Sequence, residues 1–159
     1  MQVKPIPEGF HNLNVILTVD DAAKAIDFYK QAFGAKELSR LPMGDKIGHA
    51  ELQIGDTKFM LNDEFPERGN LGPKARGGSS TGFIIYLDNV DSAFRKAIDA
   101  GGTQTMAVED QFWGDRMGTL TDPFGHSWSL ATHIEDVPES ELPSRMQQFF
   151  SKQKQAEPA

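Results

Sequence analysis

Two residue types that commonly move protons stand two positions apart in a strand-like segment. His49 and Glu51 alternate with the apolar residues Ala50 and Leu52, and residues two apart in a β-strand share one face. A carboxylate beside an imidazole orients the ring, as a general base requires. The spacing therefore predicts an acid–base pair, and the alternative is a solvated strand face on which polar residues alternate with the core.

A second polar group stands just before an Asp-Pro-Phe-Gly turn. Trp113 and Asp115 are candidate ligand contacts. Arg116 beside Trp113 could hold an anionic or aromatic ligand, but its opposite strand parity favours an ion pair with a carboxylate at a sheet edge, unless Gly114 marks a bulge that redirects it. His133 is the other imidazole that could reach the same region. It leaves open an unusual divalent-metal site formed with His49 and Glu51.

Composition excludes several classes of chemistry. The chain has no cysteine, which excludes disulfides, thiolate metal sites and a Cys nucleophile. Twenty-three acidic residues against sixteen basic ones give a net charge of −7, so we expect no nucleic-acid partner. The segment Met1-Gln-Val-Lys-Pro5 lacks the basic start and apolar core that are typical of a signal peptide, and no apolar run approaches the roughly 20 residues that span a bilayer. We therefore expect a cytoplasmic protein with no membrane contact.

The strands and helices that position these side chains are predicted from a sequence pattern that occurs twice. Asn14–Ala35 can be laid over Gly82–Thr103 without a gap, and each copy is a strand followed by a helix. After each helix the apolar period changes to two, which predicts three further strands. The expected elements are strands near 12–19, 36–41, 47–54 and 57–62 with a helix near 21–33, then strands near 82–88, 103–108, 115–121 and 126–132 with a helix near 90–100.

Composition also divides the chain. We predict one domain over residues 1–137, made of two βαβββ modules at about 11–63 and 80–136, joined by a Gly- and Pro-rich linker at 64–79. A C-terminal helix and tail occupy 138–159.

The C-terminal helix carries an apolar stripe formed by Leu142, Met146, Phe149 and Phe150. This stripe is expected to pack on the helix's own sheet or on a second copy of the chain. Asp20 is the predicted N-cap of the first helix, and Asp88 or Asn89 that of the second.

The motifs resemble the glyoxalase, bleomycin-resistance and extradiol-dioxygenase superfamily of vicinal-oxygen-chelate proteins, and within it the PhnB-like group. The resemblance covers about residues 11–136, and it implies an α+β fold in which the two modules form a cup-shaped mixed sheet. It is carried by Val19-Asp-Asp-Ala-Ala-Lys-Ala-Ile-Asp-Phe-Tyr29, His49-Ala-Glu-Leu-Gln-Ile-Gly55, Phe112-Trp-Gly-Asp-Arg116 and Asp122-Pro-Phe-Gly125 leading into His126-Ser-Trp-Ser-Leu130.

The resemblance also implies four metal-ligand positions, and these fall on residues that are poor ligands. They are Asn14, Met60, Gly82 and Ser129. Divalent metals in such sites take imidazole or carboxylate ligands, so no metal and no other cofactor is expected at these positions. A metal displaced to other residues remains the alternative.

Strand parity then selects the residues that line the cup. The predicted ligand contacts are Asn14, Ile16, Met60, Tyr86, Trp113, Asp115, Thr119 and Ser129. They favour metal-independent binding of an amphipathic organic molecule. The alternative is a lyase, isomerase or dioxygenase in which His49 and Glu51 act with or without a displaced metal. The unpaired edges of four-stranded modules and the C-terminal stripe predict a homodimer.

Overall fold

The computed structural model describes residues 3–156, so the last three residues of the predicted tail lie outside it. Two modules of the same order are present, each a strand, a helix and three strands. Their bounds are β1 Ile16–Val19, α1 Ala22–Phe33, β2 Lys36–Met43, β3 Lys46–Ile54 and β4 Thr57–Asp63, then β5 Gly82–Tyr86, α3 Val90–Asp99, β6 Thr103–Asp110, β7 Asp115–Thr121 and β8 Ser127–His133.

The strands form two separate four-stranded sheets. Their orders are β1-β4-β3-β2 and β5-β8-β7-β6. In each sheet the first strand runs parallel to the last, and the other pairs are antiparallel. The predicted α+β fold with two βαβββ modules is confirmed, and β1 and β5 are each left with one unpaired edge.

The helix ends follow local capping chemistry, with one correction to the sequence prediction. Asp21, and not Asp20, caps α1 by accepting the Lys24 amide at 3.0 Å. The Asp20 carboxylate instead lies 2.9 Å from Lys74 Nζ. Asn89 caps α3, as one of the two predicted alternatives, and Gly34 ends α1 with a φ of +67°.

Both helices share one hydrophobic core. Helices α1 and α3 pack against each other, and the Tyr29 ring of α1 lies 5.4 Å from the Trp128 ring of β8. Trp128 also contacts Phe83 of β5, with ring centroids 4.9 Å apart. The helix-covered faces of the two sheets thus face a common interior. The other face of each sheet, which we call its open face, points away from that interior.

The segment between the modules is folded onto the first sheet. It contains a 3₁₀ turn at Pro66–Arg68 and a short helix, α2, at Pro73–Arg76. Thr18 Oγ1 donates to Asn70 Oδ1 at 2.9 Å, and Phe65 is buried. These contacts hold the predicted linker against the end of β1.

The last helix, α4 at Leu142–Ala156, has few contacts with the rest of the chain. Phe149 and Phe150 contact the Phe112 ring before β7, while Arg145 forms an ion pair with Glu135 at 2.7 Å. Met146 remains half-exposed. Part of the predicted apolar stripe therefore lies against the second module, and part faces solvent. None of the helices within residues 3–156 is long and apolar enough to cross a membrane.

Candidate functional site

The open face of the first sheet carries two aligned rows of side chains. Ile16, Met60 and Glu51 are neighbours across β1, β4 and β3. In the next row, Thr18 pairs with Asn62 of β4. Ile16 is 63% exposed, so this face presents apolar surface to solvent.

His49 and Glu51 approach each other on this face. His49 Nε2 lies 3.5 Å from Glu51 Oε1, and both side chains are about one-third exposed. This distance permits an ion pair but is long for a strong hydrogen bond. The geometry suits a polar lining, and the role in proton transfer stays a prediction.

Asn14 lies outside the strand on which it was predicted. Strand β1 begins at Ile16, and the Asn14 side chain closes a turn by accepting the His11 amide at 3.0 Å and donating to the His11 carbonyl. The local turn competes with strand pairing for this side chain.

The open face of the second sheet brings together more of the predicted contacts. Ile84, Ser129 and Thr119 are aligned across β5, β8 and β7, with Ser129 Oγ and Thr119 Oγ1 2.9 Å apart. Tyr86, Ala131 and Met117 form the next row. Tyr86 is 58% exposed and Ile84 49%, whereas Ala131 is fully buried. This face is therefore an apolar surface with the Ser129 and Thr119 hydroxyl groups at its centre.

Asp115 is the organising residue of this face. It is buried, and its Oδ2 accepts hydrogen bonds from Tyr86 Oη and from Trp113 Nε1, each at 2.8 Å. His133 Nδ1 lies 2.8 Å from the other oxygen, Oδ1. Burial opposes ionisation of Asp115, but these hydrogen bonds outweigh it and hold its pKa below the usual range.

Strand parity predicts that His133 reaches the mouth of the cup, but its direct contact with Asp115 was not predicted from the sequence. His133 stands opposite Asp115 in the β7–β8 register. Its strand parity, shared with Ser129, was the available signal. The His133 ring nitrogens hydrogen-bond to the Asp115 carboxylate and, with a smaller effect, to the Asp136 carboxylate, and these contacts raise the pKa of His133.

Arg116 points to the opposite side of the sheet, as its parity predicts. Its guanidinium pairs with Asp91 of α3 at 2.7 Å and with Asp110 of β6 at 2.9 Å. Hydrogen bonds to these two carboxylates raise its pKa further above the ordinary arginine value. Arg116 thus secures α3 to the second sheet and contributes nothing to the open face.

The four positions implied for a metal do not fit one. Asn14 lies in a turn, Gly82 offers no side chain, and the Ser129 hydroxyl is engaged by Thr119. Met60 supplies only a thioether. Over the part of the chain that the structure describes, no three His, Asp or Glu side chains converge as a metal site, and this includes the proposed set of His49, Glu51 and His133.

A cavity of about 490 Å³ runs along the unpaired edge of β5. Ile84 and Tyr86 line it on one side, and Val15 and Phe59 of the first module line it on the other. Trp128 also contributes to its lining. The lining is mainly apolar, with Asp56 and Thr57 as its polar residues, and it includes Ile84 and Tyr86 of the second open face.

Comparisons with known proteins agree with this architecture. A family model described as the Glyoxalase/Bleomycin resistance protein/Dioxygenase superfamily matches residues 11–130. An uncharacterised protein of Mycobacterium tuberculosis is 44% identical over 134 residues, which cover 82% of this chain and 79% of that protein.

Two solved structures show the same fold. An antibiotic binding protein from a Streptomyces species is 25% identical, with a TM-score of 0.60, over 78% of this chain and 96% of that one. A PhnB protein from Bacillus cereus is 18% identical, with a TM-score of 0.60, over 77% and 99% of the two chains. Since the family model spans most of the residues that form both modules, this chain belongs to the glyoxalase, bleomycin-resistance and dioxygenase superfamily.

Proposed function

We propose that this protein binds a small organic molecule on the open faces of its sheets and holds it without a resident metal. The observation that carries the proposal is the second open face, where exposed Ile84 and Tyr86 adjoin a hydrogen-bonded group centred on buried Asp115. Small-molecule sites combine apolar surface with a few fixed polar groups in this way. The superfamily relative named as an antibiotic binding protein supports binding over turnover.

We further propose that the complete cup is shared between two copies of the chain. Within one chain the open faces point away from the common core, so a single chain cannot enclose a ligand between them. The free edges of β1 and β5, together with exposed Ile16 and Ile84, suit an arrangement in which the first sheet of one copy faces the second sheet of the other. A twofold dimer would form two such cups.

A bulky side chain on the second open face tests the binding proposal. Ser129→Tyr places a ring among Ile84, Tyr86 and Thr119, and it should abolish the rise in melting temperature that a bound antibiotic gives the parent protein. Binding at a ligand concentration 100 times Kd stabilises a folded protein by about 2.7 kcal/mol, which a melting curve resolves. A panel of antibiotics screened by thermal shift supplies the ligand.

The matched control is Gln104→Tyr, which adds the same ring on the other side of the same sheet, opposite Leu120. We expect this variant to respond to the ligand as the parent does. A ligand-induced shift that survives Ser129→Tyr but is lost in Gln104→Tyr would place the site on the helix side and contradict the proposal.

A further inference from the structure

The strongest unassigned feature is the His133 imidazole at the edge of the second open face, which two carboxylates contact. His133 Nδ1 is fixed by the buried Asp115 carboxylate at 2.8 Å, so its Nε2 is directed outward. There it meets Asp136 Oδ1 at 3.0 Å. The His133 side chain is 51% exposed, whereas that of Asp136 is completely exposed.

The two carboxylates that hold His133 differ in how firmly they do so. Asp115 also accepts hydrogen bonds from Tyr86 and Trp113, which come from different elements. Asp136 is a surface residue, and water screens an exposed ion pair of this kind, so the contact adds little stability. The His133–Asp115 contact is therefore part of a fixed hydrogen-bond network. The Asp136 carboxylate, by contrast, can be replaced by another anion with little loss of stability.

The same network fixes the surface beside the imidazole. Tyr86 donates its hydroxyl proton to Asp115, which immobilises a ring that remains 58% exposed. Hydrogen bonding to Asp115, followed by burial, raises the Tyr86 pKa, so this group stays protonated. A fixed aromatic ring thus lies beside an imidazole whose Nε2 is directed outward.

We propose that His133 is the anchor for an anionic oxygen, such as a carboxylate, on an aromatic ligand that lies against Tyr86. The Asp136 carboxylate occupies this anion position in the free protein, and the ligand replaces it. The inference rests on the proposed binding function and adds to it a ligand class and an anchoring residue. Charge-assisted hydrogen bonds of this kind are the strong ones in protein sites.

The groups that face His133 determine whether affinity for an anion rises or falls with pH. Asp115 of β7 stays ionised, because its pKa is lowered by its hydrogen bonds, and Tyr86 of β5 stays neutral. Asp136, which follows β8, is the second carboxylate that contacts His133. Because the His133 pKa is raised, the imidazolium form is present below that pKa and is lost as the pH rises through it. Affinity for an anion should fall over the same interval.

The test compares 2-naphthoate with 2-naphthamide, which have the same ring system and differ in charge. Both are titrated into the full chain, and the NMR signal of the Trp113 indole N–H reports binding. We expect naphthoate to bind about tenfold more tightly than naphthamide at a pH below the His133 pKa. The preference should disappear as the pH rises through that pKa, which the imidazole NMR signals locate.

Two variants separate the anchor from the binding surface. His133→Gln should weaken naphthoate binding about tenfold and naphthamide binding by much less, so that the preference for naphthoate disappears. Asp136→Asn removes the competing carboxylate and should strengthen naphthoate binding. Equal affinity of both probes for the parent protein, or no effect of either variant, would overturn the anchor while leaving the binding face intact. Failure of both probes to bind at millimolar concentration would overturn both this inference and the binding proposal on which it rests.

Discussion

Replacing Asp122 with alanine is expected to lower the free energy of unfolding by about 4 kcal/mol. The buried carboxylate accepts four hydrogen bonds. Its Oδ1 accepts the Phe124 and His126 amides at 2.9 and 3.0 Å, and its Oδ2 accepts Tyr29 Oη at 2.7 Å and Trp128 Nε1 at 2.8 Å. Alanine would leave these four donors without that acceptor.

The effect should be large because Asp122 connects the modules. Tyr29 belongs to α1 of the first module, and Trp128 belongs to β8 of the second. Burial, followed by the neighbouring Asp122 charge, raises the Tyr29 pKa, so the phenol remains a hydrogen-bond donor. Chemical denaturation followed by Trp fluorescence measures the change.

Asp136→Ala is the control for Asp122→Ala, because Asp136 is fully exposed. It should leave the unfolding free energy nearly unchanged, because its side chain makes no buried contact. A loss below about 1 kcal/mol for Asp122→Ala would show that the bridge between modules contributes little and that apolar packing alone holds them together.

The second large effect is expected from Ile84→Lys, which should convert the dimer to a monomer. Ile84 is 49% exposed in a single chain and lies on the edge strand that the proposed partner covers. By symmetry the substitution places an ammonium group in both cups of one dimer. An unpaired charge removed from water costs several kcal/mol, so dissociation should become at least about 100-fold more favourable.

Size-exclusion chromatography with light scattering at micromolar concentration gives the mass directly. The matched control is Gln104→Lys, which carries the same charge on the other side of the same sheet, opposite Leu120 and outside the proposed interface, and it should remain dimeric. A monomeric parent protein, or an Ile84→Lys variant that stays dimeric, would rule out the shared cup.

Much of the fold was predictable because short-range physics determines it. Alternation distinguishes Leu17 and Val19, which are buried under the helices, from Ile16, which is exposed. The repeat gave the order of elements in both modules, and Gly34 marked the end of α1. Parity also placed Arg116 correctly on the helix side of its sheet.

The missed features depend on long-range register. Parity placed Asp115 and His133 on one face, but only the β7–β8 pairing shows that they are directly opposite. The N-cap of α1 depends on the path from β1, since Asp63 at the end of β4 accepts the Ala22 amide at 2.7 Å. Two adjacent aspartates cannot be distinguished without that long-range contact.

Native mass spectrometry of the full chain, purified without chelator and paired with elemental analysis, tests the central proposal most directly. We predict a two-chain assembly that carries an organic molecule, releases it on denaturation and contains no stoichiometric divalent metal. A metal at one equivalent per chain, or single chains that retain the organic molecule, would contradict a metal-independent cup shared between two copies.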